Sequence, residues 1–182
     1  MITTDTSLVE LAYIVCTALD QSGQKAVLTG GGAATVWALT AYQSKDLDFV
    51  FEFWTAFETD ETPLKDLGFV RDLNLYRHKE TPFTVEFPLG PLCISNDEVT
   101  QWTTLRENDR LLYILSPTDC VRDRLMWFYA YNDFSGLEQA LAVATRNEID
   151  LPFIELWSSK ENEEAKLQTF RQRLLDQEPA TS

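Results

Sequence analysis

The segment VLTGGGAATVWALTAYQSKDLDFVFEF, residues 27–53, restricts the possible folds more than any other part of the sequence. A short apolar run leads into three consecutive glycines, and a nearly uncharged stretch of small and apolar residues follows them. Glycine permits the sharp turn and the close backbone approach that join a buried strand directly to a buried helix. The pattern predicts a strand over residues 26–29, a helix from Gly30 to about Tyr42, and a second strand from Asp46 to Phe53.

The second strand carries two aspartates at alternate positions. Successive side chains of a strand point to opposite faces, so Asp46 and Asp48 share one face and the apolar residues share the other. Two carboxylates about 7 Å apart along a strand suit the binding of divalent cations through oxygen. The alternative, a solvated face of an edge strand, is disfavoured because the rest of the strand is apolar. A later strand, FTVEF, repeats the alternation at Glu86, where ordinary polar alternation in a meander is the alternative.

The remaining pattern divides the chain into a sheet-rich part and a helical part. We expect a first helix capped by Thr6 or Ser7, a short helix near residues 63–67, and an antiparallel meander through residues 69–87. A loop, PLGPLCISNDEV, leads to two strands around residues 102–105 and 111–115. Helices follow over residues 116–131 and 135–145, and then a polar amphipathic tail. The predicted fold class is α+β, with a mixed-sheet core over residues 1–115 and a helical C-terminal part over residues 116–182.

Composition bounds the kind of partner that the chain can bind. Its 182 residues, of which 45% are hydrophobic, suffice for one core. With 29 acidic and 15 basic residues the formal net charge is −14, which disfavours binding of bulk nucleic acid. A cationic small molecule or a basic protein surface is a more natural partner, and the alternative is a merely soluble acidic protein.

The cysteines and the hydropathy pattern point to a reduced and soluble protein. The three cysteines lie far apart in apolar contexts without a Cys-x-x-Cys pair, which predicts reduced core thiols rather than a zinc site or disulfides. No apolar run approaches the roughly 20 residues that span a bilayer. We therefore expect a cytoplasmic protein that does not associate with membranes.

The order of these parts resembles that of the nucleotidyltransferase superfamily with a polymerase-β-like fold. The shared features are Gly31-Gly32, thirteen intervening residues, Asp46-Leu47-Asp48 and a later strand carboxylate at Glu86. The resemblance implies transfer of a nucleoside monophosphate from a nucleoside triphosphate with two Mg²⁺ ions. Asp46 and Asp48 would bind both ions, and Glu86 would bind the catalytic ion and orient or deprotonate the acceptor hydroxyl. The implied nucleotide-binding residues are Gly30, Gly31, Gly32, Ser44, Lys45, Arg122 and Arg124.

The helix that begins at Ser116 supplies the two arginines of that set. A guanidinium group suits phosphate oxygens, so Arg122 or Arg124 would clamp the triphosphate; solvated ion pairs on a packed helix are the alternative. This region resembles the helical part of abortive-infection-type nucleotidyltransferase toxins, in which a basic residue starts a helix and an acidic dipeptide closes it. Arg124 stands in the basic place and Asn132-Asp133 in the acidic one.

The leading functional hypothesis is Mg²⁺-dependent nucleotidyl transfer to an unknown acceptor, which is a protein, a small molecule or an RNA end. Resemblance to the abortive-infection toxins suggests a role in a toxin–antitoxin or defence system. Two alternatives remain open. One is a small-molecule nucleotidyltransferase of the aminoglycoside type, which the acidity favours. The other is a catalytically inactive protein of the same fold that binds a cognate toxin or antitoxin.

Overall fold

A mixed β-sheet forms the centre of the protein, whose computed structural model describes residues 2–38, 44–52 and 60–177. The strands in these residues are β1 (Ala26–Thr29), β2 (Asp46–Phe51), β3 (Val70–Asp72), β4 (Leu75–Arg77), β5 (Thr84–Glu86), β6 (Cys93–Ile94), β7 (Asp97–Glu98), β8 (Thr103–Glu107) and β9 (Arg110–Ile114). Seven of them form one sheet in the order β3-β4-β5-β2-β1-β9-β8, and β6 pairs with β7 in a separate hairpin.

Helices pack around this sheet and make up the C-terminal part of the chain. They are α1 (Leu8–Gln21), α2 (Gly30–Trp37), α3 (Thr62–Asp66), α4 (Pro117–Tyr131), α5 (Phe134–Ala144), α6 (Leu151–Lys160) and α7 (Glu164–Gln177). Serine is the N-cap residue of α1 and of α4. The Oγ atoms of Ser7 and Ser116 accept hydrogen bonds from backbone N–H groups in the first turns of these helices. The predicted α+β class with a mixed sheet is confirmed.

The strand with the two aspartates lies at the middle of the sheet. β2 pairs antiparallel with β1 on one side and parallel with β5 on the other. In the second pairing Asp48 lies opposite Glu86, so the polar faces of the two strands match. Their apolar faces are held in the core, where Leu47 and Val85 are fully buried. The sequence predicts a cluster of three carboxylates only if these two strands are neighbours with matched polar faces, and this condition is met.

Glycine allows α2 to lie directly against the sheet. A Cβ atom on Gly32 would lie 3.1 Å from the backbone oxygen of Asp46 and 3.2 Å from Leu47 Cδ2, so the helix can approach closely only without a side chain there. α2 ends at Trp37, earlier than predicted, because the backbone of Ala38 is extended. The rest of the predicted helix, residues 39–43, lies outside the described residues, as does the predicted end of β2 at residue 53.

The chain after β9 is helical, and its helices bury large aromatic side chains. The predicted amphipathic tail forms two helices, α6 and α7, which bury Trp157 and Phe170. The predicted boundary between residues 115 and 116 falls between β9 and α4, and the division of the chain into a core and a C-terminal part stays a prediction. In the part of the chain that the structure describes, no helix combines the length and the apolar character needed to cross a membrane.

Two expectations about the segment after β5 are wrong. The predicted loop contains the β6–β7 hairpin, in which Ser95 adopts a positive φ of 55° at the turn. Cys93 lies on an edge of this two-stranded hairpin and is exposed, whereas Cys16 and Cys120 are buried as expected. A hairpin of two-residue strands has too few positions to show the alternation from which strands are recognised.

We expect Gly136→Ala to lower the free energy of unfolding by about 1–3 kcal/mol, because the added methyl group overpacks the contact between α4 and α5. A Cβ atom there would lie 2.7 Å from the backbone oxygen of Arg124, which cannot move without displacing α4. Urea unfolding measures the change. Glu138→Ala, at an exposed position of α5, is the control and should change stability by less than about 1 kcal/mol. An equal effect of both substitutions would contradict tight packing at Gly136.

Candidate active site

A cleft of about 440 Å³ opens where the sheet meets α2, α4 and α5. Polar side chains from four different elements converge on it. Its lining residues are Thr29, Gly30, Gly31, Ser44, Asp46, Asp48, Val50, Pro88, Leu89, Pro91, Leu92, Cys93, Leu115, Asp123, Arg124, Trp127, Asp133, Ser135 and Gln139. The predicted face of β2 and the glycine turn therefore lie in one cavity.

The three predicted carboxylates form a cluster. Asp46, Asp48 and Glu86 each place a carboxylate oxygen within 4.8 Å of the others. Burial first, and then the charges of Asp46 and Glu86, raise the pKa of Asp48 to about 7. Burial and the charge of Asp46 also raise the pKa of Glu86. The cluster is electrostatically unfavourable by itself, and its hard oxygen ligands suit a divalent cation such as Mg²⁺.

Asp46 is held in place through the helix that follows the glycines. Ser44 donates its hydroxyl proton to Asp46 Oδ1 at 2.5 Å, and the backbone N–H of Ser44 donates to Thr35 Oγ1 at 3.1 Å. Thr35 Oγ1 in turn donates to the carbonyl oxygen of Gly31 at 2.9 Å. This chain of hydrogen bonds fixes the carboxylate relative to the first turn of α2.

The glycine turn brings the start of α2 against the carboxylates. Gly30 has a φ of +68°, and a Cβ atom on it would lie 2.6 Å from Asp48 Oδ2, so both its conformation and its surroundings require glycine. The first N–H groups of a helix have no partners within the helix, and the Thr29 side chain does not cap them. These N–H groups carry partial positive charge, which favours binding of an anion such as phosphate beside the carboxylates.

Arg124 supplies a buried positive charge on the opposite wall of the cleft. Its Nη2 and Nε donate to Asp123 Oδ2 at 2.7 and 3.0 Å, and its Nη1 donates to Gln139 Oε1 at 3.3 Å. The guanidinium group lies 5.9 Å from the ring centre of Trp127. Arg124 is only 9% exposed, so the alternative of a solvated ion pair does not describe it. Its charge reaches the carboxylate cluster and acts to lower the pKa of Asp48.

Arg122 lies outside the cleft, in the packing between α4, α6 and the β6–β7 hairpin. Its guanidinium donates to Asp97 at 2.7 Å and to Asp119 at 2.9 Å. The rings of Phe153 and Trp157 lie 4.8 and 4.9 Å from it. The residue is 2% exposed, and these contacts give it a structural role.

The other predicted residues also divide into those that line the cleft and those that lie outside it. Gly30, Gly31 and Ser44 line the cleft with Asp46 and Asp48, and Glu86 adjoins it through Asp48. Gly32 faces the sheet, and Lys45 is exposed and absent from the lining residues. Sequence reasoning did not select Gln139, Asp123 or Trp127. One signal could have found Gln139, since an uncharged polar residue that directly precedes the apolar run ALAVA of a buried helix needs a hydrogen-bond partner.

Two solved structures are similar to this protein over most of its length. The antibiotic-resistance factor ANT(2'')-Ia, solved in solution, is 15% identical with a TM-score of 0.56, and the similarity covers 93% of this chain and 99% of that chain. An antigenic nucleotidyltransferase-like protein from Paracoccidioides brasiliensis is 16% identical with a TM-score of 0.58, covering 97% and 91%. No protein-family model matches the chain, and no curated protein matches it. The structural likeness confirms a nucleotidyltransferase-type fold.

We expect Asp48→Asn to stabilise the protein in the absence of divalent ions, and to do so more at pH 8 than at pH 5. The folded carboxyl has a pKa of about 7 against an ordinary value of 3.8, so the unfolded chain ionises first and wild-type stability falls as the pH rises between these values. The difference in free energy of unfolding between the variant and the wild type should grow by about 1–3 kcal/mol from pH 5 to pH 8. Urea unfolding with a chelator measures it, and a constant advantage would contradict the raised pKa.

We expect Arg122→Ala to lower the free energy of unfolding by about 2–4 kcal/mol, because it removes packing between two rings and the guanidinium that pairs with both Asp97 and Asp119. Arg106→Ala is the matched control, since Arg106 is exposed and absent from the cleft lining, and it should change stability by less than about 0.5 kcal/mol. Chemical denaturation of both variants measures the difference. Equal stability of the two would refute the structural role of Arg122.

Proposed function

We propose that this protein is a Mg²⁺-dependent nucleotidyltransferase that transfers a nucleoside monophosphate from a nucleoside triphosphate to an acceptor hydroxyl. One observation carries the proposal. The glycine turn at the start of α2 lies so close to Asp48 that a Cβ atom on Gly30 would be 2.6 Å from its carboxylate. Backbone N–H donors and carboxylate oxygens are therefore adjacent in one cleft, which supports a site that holds phosphates and a metal ion together.

The carboxylate cluster fits magnesium by its chemistry. Asp46, Asp48 and Glu86 provide hard oxygen ligands on neighbouring strands, and a divalent ion would offset the burial and the repulsion that together raise the pKa of Asp48. Following the resemblance, Asp46 and Asp48 would hold two ions and Glu86 one of them. Bound Mg²⁺ supplies charge neutralisation on the phosphates and makes the acceptor hydroxyl more acidic.

The side chains of this protein have separable roles in the proposed reaction. The acceptor oxygen attacks the α-phosphorus, the bond between that phosphorus and the oxygen bridging to the β-phosphate breaks, and pyrophosphate leaves with the electron pair. Glu86 accepts the proton of the acceptor hydroxyl, and its raised pKa suits a group that must take up a proton. The N–H groups of Gly30 and Gly31, together with Arg124, bind the phosphates and hold the triphosphate in line for the attack.

The charge of the cleft favours a small or basic acceptor over bulk nucleic acid. Among its described lining residues are four aspartates, Asp46, Asp48, Asp123 and Asp133, and one arginine, Arg124. Elsewhere, basic residues that could contact a nucleic-acid backbone are paired with carboxylates: Arg71 with Glu61, Arg77 with Asp72, and Arg110 with Glu10. Binding long nucleic acid would require breaking such pairs or paying for repulsion from a net charge of −14.

Two other functions retain specific support. Similarity to the antibiotic-resistance factor, together with the acidic cleft, supports a cationic antibiotic of the aminoglycoside type as the acceptor. The acidic surface also supports a catalytically inactive binding protein that neutralises a basic toxin, as an antitoxin would. The other acceptors to be tested are a protein, as in a toxin–antitoxin or defence system, and a short RNA end.

Isothermal titration calorimetry of the four nucleoside triphosphates tests the metal-bridged site. We expect binding with Mg²⁺ and at least tenfold weaker binding with chelator, because the uncompensated carboxylates repel the phosphates. Arg124→Ala should weaken binding at least tenfold, whereas Arg106→Ala, at an exposed residue outside the cleft lining, should leave Kd within about twofold. Equal affinity with and without the metal ion would refute the proposal.

A labelling experiment then identifies the acceptor class. The protein is incubated with each triphosphate labelled at the α-phosphate and, separately, with transfer RNA, an aminoglycoside panel or cell protein. The double variant Asp46→Asn, Asp48→Asn is the control, and it should remain folded and transfer no label. Triphosphate binding without label transfer to any acceptor would favour the inactive binding protein.

A further inference from the structure

Gln139 lies between the two groups that the proposed function assigns to phosphate binding. The residue is 6% exposed, lies on α5 and lines the cleft. Its Oε1 accepts a hydrogen bond from Arg124 Nη1 at 3.3 Å. On the other side, a Cβ atom placed on Gly31 would lie 3.5 Å from Gln139 Nε2. One side chain thus connects the arginine wall of the cleft with the glycine turn.

The chemistry of Arg124 fixes the orientation of the amide. A guanidinium group can only donate hydrogen bonds, so the oxygen of Gln139 faces Arg124 and the NH₂ group faces Gly31. Within the described residues Nε2 makes no hydrogen bond, and it is not among the side-chain atoms that are closed off from solvent, so it opens onto the cleft. An amide donor in that position can donate to a bound ligand, and the N–H groups of the nearby helix turn are themselves donors. A hydrogen-bond acceptor such as a phosphate oxygen therefore complements this corner of the cleft.

We propose that Gln139 binds a phosphate oxygen of the substrate through Nε2 while its Oε1 positions the guanidinium of Arg124. This inference rests on the proposed function, because it assigns the triphosphate as the acceptor of the hydrogen bond from Nε2. An uncharged donor adds a hydrogen bond to phosphate without adding positive charge next to Asp46 and Asp48. Their affinity for a divalent cation is therefore left intact. Gln139 would thus contact the same phosphate group as the glycine turn while it holds Arg124 in place.

Two substitutions separate the roles of the two amide atoms. Gln139→Glu keeps an oxygen for Arg124 but replaces the donor beside Gly31 with a second carboxylate oxygen. Gln139→Met has nearly the same volume and removes both the donor and the acceptor without adding charge. Gln101→Glu makes the same change of charge at an exposed residue that does not line the cleft.

The probe is inorganic tripolyphosphate with Mg²⁺, which presents phosphate oxygens without a base or sugar. By calorimetry we expect Gln139→Glu to raise Kd at least tenfold, Gln139→Met to raise it about three- to tenfold, and Gln101→Glu to leave it within twofold. In nitrogen-15 NMR spectra, the side-chain amide signal that disappears in Gln139→Met should shift in the wild type when tripolyphosphate is added. Thermal unfolding without ligand shows whether each variant is folded.

The outcomes distinguish this inference from the proposed function. If both Gln139 variants bind tripolyphosphate as the wild type does, or if the amide signal does not shift, the inference is overturned even where nucleotide transfer is observed. If tripolyphosphate binds with the expected dependence on Gln139 but no nucleotide is transferred, the inference stands and the transferase proposal fails. If the wild type binds neither tripolyphosphate nor any triphosphate, both are overturned.

Discussion

Repulsion among three carboxylates on adjacent strands is the constraint on which the rest of this structure depends. The raised pKa of Asp48, about 7, reflects a group that burial and its acidic neighbours disfavour in the charged form. The opposite faces of the same strands offset that cost, because Leu47, Phe49 and Val85 are completely buried in the core. The alternation of a β-strand thus lets one segment hold both the unfavourable cluster and part of the apolar core that stabilises it.

Neutral donors surround this cluster more than positive charges do. Ser44 donates to Asp46, and the backbone turn at Gly30 lies against Asp48. Arg124 is the single cationic side chain among the described lining residues of the cleft, and it forms an ion pair with Asp123. A closer lysine or arginine would neutralise the carboxylates and so weaken their attraction for a metal ion. The cleft remains negative next to the carboxylates and offers hydrogen bonds where an anion would lie.

The residues that carry the predicted chemistry could be read from local spacing, and those that support it could not. The glycine turn and the alternation at Asp46 and Asp48 are local patterns, and they predicted the strands and the mixed sheet correctly. The register that places Glu86 opposite Asp48 was only a conditional prediction, because strand order depends on long-range packing. Arg122 and Arg124 lie two residues apart on one helix, and their different surroundings depend on α5, α6 and the hairpin packed against them. Gln139 was missed because its partner, Arg124, lies 15 residues earlier in the chain.

The anchoring of the β6–β7 hairpin has a consequence for how such a protein can diversify. Arg122 bonds Asp97 of the hairpin while packing on the aromatic rings of α6, and Ser95 at the hairpin turn bonds Glu161 at the end of α6. The hairpin and the loop before it supply Leu92 and Cys93 to the cleft. We therefore expect substitutions in α6 to shift this wall of the cleft while the pairing of β2 with β5 is retained. Selection on a helix remote from the carboxylates can in this way change which ligands the cleft admits, while the chemistry of the strands is inherited unchanged.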